Sequence, residues 1–204
     1  MTDLYESMTV DLPEIDDSGV RVERFEVSAS ASRFASVTDG RRAPSAGEFT
    51  RLFVDGRLWM SDTNAEKGDH LEAVGEMATR GGRVLINGLG LGMVVKAALT
   101  LPNVEHVDVV ELNPRVAEVV GPHYSSDRCT VHTADAYAQT KVWTGGTRWT
   151  VAWHDIWPDM CEDYLPDMAR LKRSYGRRVD WQGCWGQEYI RYQRARTANA
   201  WWRS

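Results

Sequence analysis

The 204-residue sequence predicts an α/β fold, a doubly wound and mostly parallel sheet preceded by a small β-hairpin region. Two observations carry that expectation. From Val84 onward, short apolar runs alternate with stretches of helical period, the pattern of βαβ units whose right-handed crossovers align strands in parallel. Before Gly68 the period is two and is broken by turn residues, which places a β-rich cap over residues 1–66 and the α/β domain over 67–204. A chain that is 43% hydrophobic and 26% charged has the composition of an ordinary globular protein.

Residues 1–20 are polar and acidic and read as a loose lead-in. Val22 to Val37 opens with an alternating stretch (Val22, Arg24, Glu26, Ser28) that suits a half-buried strand. Thr38 to Glu48 contains Asp39-Gly40, Pro44 and Gly47, which is turn chemistry. Phe49 to Met60 reads as two strands joined by a two-residue hairpin at Asp55-Gly56. Leu71, Val74, Met77 and Ala78 then fall at helical spacing, and Gly81-Gly82 stops that helix. Strands are expected at Val84–Ile86, Val107–Leu112, Thr130–Thr133, Trp149–His154 and Val179–Trp185. Helices are expected at Val94–Leu101, at Pro114–Val120 behind an N1 proline, at Met160–Leu171 and at Gln187–Trp202.

No run approaches the ~20 apolar residues of a membrane span, and the acidic N-terminus lacks an apolar signal core, so a cytoplasmic protein without membrane contact is expected. Three cysteines without a CxxC pair argue against both a disulfide framework and a zinc site.

The stretch RVLINGLGLGMVVKAAL places Asn87, Gly88, Gly90 and Gly92 between an apolar strand and a helix. A cofactor can lie against backbone there, and the free N–H groups of the helix start attract an anionic group. Glu111, 19 residues beyond Gly92, stands at the end of the next strand, where a carboxylate can accept both ribose hydroxyls. The nucleotide loop and its acid make the α/β domain Rossmann-like. The dinucleotide fingerprint asks for glycine at position 93, where this chain has Met93, so GxGxG spacing favours S-adenosylmethionine over NAD. Asp135-Ala136 ends the following strand, where an acid can accept from an adenine amino group or cap a helix.

At these residues the chain resembles the spermidine synthase branch of the class I S-adenosylmethionine-dependent methyltransferase superfamily. The matching stretches are Val84 to Met93, Val110 to Asn113, Ala134 to Ala136 and WTVAWHDIWP, with LFVDGRLWMSDTNAEKGDH resembling the upstream hairpin and helix. The resemblance covers Phe49 to Pro158. It implies that Gly88, Gly90, Gly92, Glu111, Asp135 and Ala136 line S-adenosylmethionine or its decarboxylated form, and that Asp155 occupies the family's proton-accepting position. The chain departs from the family in having Trp59 for a glutamine, Asp69 for the tyrosine before His70, and Ile156-Trp157-Pro158 where a further acid is expected. Only 46 residues follow Pro158, so the sheet is expected to be truncated, or completed by a second copy in a homo-oligomer.

Asp155 can take the proton that an amine loses on attacking a sulfonium carbon. Trp157 reads either as a stacking surface or as core, and His154 as a satisfied polar residue. From Arg170 to Ser204, nine Lys/Arg against Asp180 and Glu188 give +7, leaving −12 on the first 169 residues. Arginines and aromatics interleave there (Tyr175, Trp181, Trp185, Tyr189, Arg191, Tyr192, Arg194, Trp201, Trp202), which suits either a nucleic-acid surface or a helix packed on the sheet. Two readings result. One is a methyltransferase acting on an amine or nucleobase, with Asp155 as base. The other is a non-catalytic spermidine synthase-like protein that keeps the cofactor shell, with aminopropyl transfer a weaker variant.

Overall fold

The computed structural model describes residues 4–38, 43–138, 143 and 146–201, with the side chains at 198–201 excepted. The expected Asp39-Gly40 turn and Trp202 lie outside these residues, as does the side chain of Trp201. Two sheets organise the chain. The first is antiparallel, in the order β1-β2-β3-β4, built from β1 (Ile15–Asp17), β2 (Val20–Val27), β3 (Gly47–Val54) and β4 (Arg57–Ser61). Asp55 and Gly56 both take positive φ, 51° and 75°, as a tight hairpin turn requires.

The second sheet is fully parallel: β5 (Gly82–Asn87), β6 (Val104–Glu111), β7 (Cys129–Thr133), β8 (Trp149–His154) and β9 (Val179–Cys184). Their spatial order is β7-β6-β5-β8-β9, so the winding reverses between β5 and β8. Helices cover both faces: α3 (Asn64–Arg80), α4 (Met93–Thr100) and α5 (Pro114–Val119) belong to one side, α6 (Leu165–Tyr175) and α7 (Gln187–Trp201) to the other. Central β5 and β6 are buried on both faces, which explains their unbroken apolar runs. This is the Rossmann-like α/β sheet that the alternation of elements implies.

Four expectations need correction. The lead-in is core: a short helix α1 (Leu4–Ser7) runs into Met8, Val10 and Leu12, all buried in the same cluster as Val22, Leu52, Val84 and Val107. Their spacing of two carried a burial signal that the surrounding acids masked. Val22–Val37 is not all strand, since Ala29–Thr38 forms helix α2, capped by the Ser28 hydroxyl accepting from the Ala31 N–H at 3.2 Å. The buried face of α3 is Lys67, His70, Ala73, Val74 and Met77, with Ala78 exposed. At the other end, Met160–Leu171 becomes a short 3₁₀ turn followed by α6. Among the described residues no helix is long and apolar enough to cross a membrane.

Candidate functional site

The carboxyl ends of β5, β6, β7 and β8 are tied to one another just beyond the sheet ladder. Gly88 donates to the Val110 carbonyl (2.8 Å), Ala134 to that of Glu111 (2.9 Å) and Asp155 to that of Asn87 (2.8 Å). The glycine loop, Glu111 and Asp155 are thereby gathered at the reversal of strand order, where open α/β sheets hold their ligands.

Gly88 and Gly90 have φ of 99° and 50°, which favour glycine. The fold itself supplies a packing reason for the missing Cβ. At Gly88 a Cβ would run into the backbone carbonyl of Asp155, and at Gly90 into the thioether of Met60. The glycines let the chain close on itself. Gly92, also at positive φ, caps α4 against the ring of Tyr124. Met60 lies on the loop, its sulfur accepting the Leu91 N–H at 3.2 Å. Between Met60, His70, Gly88, Leu89 and Asp155 only a cavity of about 10 Å³ remains, room for a single water.

Glu111 reaches back over the loop. Its Oε2 accepts from the Leu89 N–H and its Oε1 from the Asn113 N–H, both at 2.8 Å. A carboxylate has about four lone-pair sites, so two remain for hydroxyl donors. Asp135 is exposed, with one oxygen accepting the Tyr137 N–H at 2.8 Å, the geometry of a helix cap. Ala136 is buried and its carbonyl takes the Tyr175 hydroxyl at 2.7 Å.

Asn87 is fully buried and turned into the molecule, its amide 2.7 Å from His154 Nδ1. The Gln182 amide nitrogen donates to Lys172, so its oxygen faces His154 Nε2 at 3.1 Å and fixes the proton there. Nδ1 therefore accepts from Asn87, and burial pushes the His154 pKa down to about 4. His154 is a satisfied core residue, as its type suggested. The Asn87 Oδ1 is buried without a hydrogen-bond partner among the described residues.

The Asp155 side chain is 24% exposed and stands in the wall of the small cavity. Its pKa is pushed up to about 7, first by burial, then by the negative charges of Glu66, Asp69 and Glu111. His70, buried on α3, approaches the Asp155 Oδ2 to 3.9 Å and accepts the Trp153 indole N–H at 3.2 Å. Met60 and His70 join this site without a sequence motif that marks them. His70 sits in phase with Ala73, Val74 and Met77, and a histidine on an apolar helix stripe was the available signal.

Trp157 is core, packed with Leu85, Ala152, Met168 and Leu171, and offers no stacking face. Of the aromatics proposed to meet nucleic acid, Tyr175 is fully buried and Trp181 and Trp185 pack against the core, leaving Tyr189 and Tyr192 exposed on α7.

No protein-family model matches the sequence, and no curated protein matches it. Several solved structures superpose on parts of the chain. Spermidine synthase from Thermotoga maritima superposes with a TM-score of 0.51 at 14% identity, over 82% of this chain and 53% of that one. A putative S-adenosylmethionine-dependent methyltransferase from Streptococcus mutans matches with a TM-score of 0.47 at 13% identity, over 65% of this chain and 36% of that one. Human methyltransferase-like protein 13, solved with S-adenosylhomocysteine, matches with a TM-score of 0.39 at 21% identity, over 54% and 55% of the two chains. This chain spans about half the length of the spermidine synthase, 53%. The parallel sheet and its flanking helices are thus the Rossmann-like α/β fold that this spermidine synthase also carries.

Proposed function

We propose that this chain binds S-adenosylmethionine, or its decarboxylated form, and transfers the methyl group to a nitrogen of an amine or nucleobase, with Asp155 accepting the proton. The observation that carries this is the placing of Asp155, a carboxyl with its pKa near 7, beside the glycine loop at the reversal of strand order. The cofactor would supply an electrophilic methyl group.

The donor set fits such a ligand. Glu111 keeps lone pairs for ribose hydroxyls beside the loop, and Asp135 keeps one oxygen for an adenine amino group. Met93 is buried where a dinucleotide-binding fold keeps glycine for close helix–strand contact, which favours the methionine-derived ligand over NAD. Met60 must leave the loop to open the small cavity, a change its three rotatable bonds allow at low cost. Asp155 would hold the acceptor nitrogen by a hydrogen bond while it is ionised and take its proton as the N–C bond forms and the methyl–sulfur bond breaks, the cofactor leaving as a neutral thioether.

Transfer of labelled methyl from S-adenosylmethionine to a pool of small amines, nucleosides and oligonucleotides tests the reading. Asp155→Asn should preserve cofactor affinity by calorimetry and lower transfer by about 10²–10⁴-fold. Equal transfer by the two proteins would remove Asp155 as the base, and tighter binding of NAD than of S-adenosylmethionine would overturn the cofactor assignment.

A further inference from the structure

We propose that His70 is the positioning residue for Asp155: fixed in one tautomer by Trp153, it presents its Nε2–H to the Asp155 carboxylate and favours the ionised, proton-accepting form. The role rests on the reading of Asp155 as the base, but the coupling between the two side chains can be measured without any reaction.

The geometry determines the tautomer. An indole nitrogen only donates, so the 3.2 Å contact from Trp153 Nε1 makes His70 Nδ1 an acceptor. In the neutral imidazole the proton is then on Nε2, the nitrogen that lies 3.9 Å from Asp155 Oδ2. The two rings meet edge to face, 6.0 Å between centroids and 82° between planes, which keeps the imidazole from turning over. His70 is 2% exposed and held on the buried stripe of α3. At 3.9 Å the contact is longer than a hydrogen bond, as catalytic contacts often are before a ligand binds.

The surroundings give this one donor its importance. Glu66 and Asp69 from α3 and Glu111 from β6 all place negative charge near Asp155 and hold the proton on it. Glu66 is bonded to the Ser61 N–H and hydroxyl, Asp69 to the Trp185 indole, and Glu111 to Leu89 and Asn113. His70 approaches Asp155 with the opposite polarity. Burial depresses its own basicity to about 4, so at neutral pH it stays a neutral donor and does not compete for the proton.

The test is the carboxyl ¹³C titration of Asp155 in aspartate-labelled full chain, its signal assigned by loss in Asp155→Asn. In His70→Phe the midpoint should rise by about one unit, a tenfold tighter hold on the proton. His70→Asn, which returns an N–H donor, should bring it part of the way back. Trp153→Phe removes only the N–H that fixes the tautomer and should raise the midpoint by less. If His70→Phe does not fold, Trp153→Phe decides alone. A midpoint unmoved in the variants that fold overturns the proposal. Where methyl transfer is observed, the rise of rate with pH should shift with the same midpoint. Where wild type transfers nothing, the proposed function falls and the titration still decides His70.

Discussion

Asp155 must be basic enough to take a proton and still ionised at working pH, and a pKa near 7 meets both demands. Because the base form is the active one, the rate of methyl transfer should rise with pH through about 7, and that limb should vanish in Asp155→Asn. A profile that falls across the same range would exclude a carboxylate base. Glu111 answers a different question, since its side chain meets the loop and not the cavity. Glu111→Ala should weaken cofactor binding by about 1.5–3 kcal/mol, the range for hydrogen bonds to a charged acceptor, as read by calorimetry. An unchanged affinity would take Glu111 out of the site. Both acids are legible from sequence because each stands where an apolar strand ends. Met60 and His70 are not, because they reach the site through contacts 31 and 83 residues away in the chain, Leu91 to Met60 and Trp153 to His70.

The glycine loop is an element whose function and packing make separate demands, and its substitutions separate them. Gly88→Ala sets a Cβ against backbone, the Asp155 carbonyl, at a φ of 99°. With nothing flexible to yield, it should cost about 3 kcal/mol or more in denaturant unfolding. Gly90→Ala meets a side chain that can move, the Met60 thioether, and should cost about 1–3 kcal/mol. The double variant Gly90→Ala, Met60→Ala should therefore be less destabilised than the sum of the single variants, a coupling that equilibrium unfolding can read. Strict additivity would show that Met60 does not press on the loop. The strand and helix pattern from β5 to β9 was readable because each element there is buried on one face or on both. Helix α2 was not, since it buries no residue and its ASASRFASVT sequence has no apolar stripe to betray its period. Met8, Val10 and Leu12 failed for the opposite reason: they pack into the core from a stretch of acidic composition, and only the distant residues they touch reveal it.

At the scale of the whole molecule, the order β7-β6-β5-β8-β9 follows from crossover handedness only once the pairing partners are known, and those are long-range. The same fold that half-buries Asp155 fully buries His70 and His154, and these three groups weigh on how stability depends on pH above about 4. The imidazoles have folded pKa values of about 4 against about 6.5 unfolded, so each contributes stability above 6.5 that is lost as pH falls to 4. Asp155, raised to about 7 from about 3.9, acts in the opposite sense: its contribution is full below 3.9 and lost as pH rises through 7. Between pH 4 and 6.5 the imidazoles of His70 and His154 are protonated only in the unfolded chain and the Asp155 carboxyl only in the folded one, a net uptake of one proton on unfolding. Stability should accordingly rise by about 1.4 kcal/mol per unit through the middle of that range, crest near pH 7, and decline slightly until Asp155 is fully ionised. Urea unfolding at intervals from pH 4.5 to 8 measures the curve. In Asp155→Asn the opposing term is gone, so the slope below pH 6.5 should double and the decline above it should disappear. A variant whose curve overlays that of wild type would mean that Asp155 ionises in the folded protein as freely as in the unfolded chain, and its burial beside Glu66, Asp69 and Glu111 would then carry no energetic consequence.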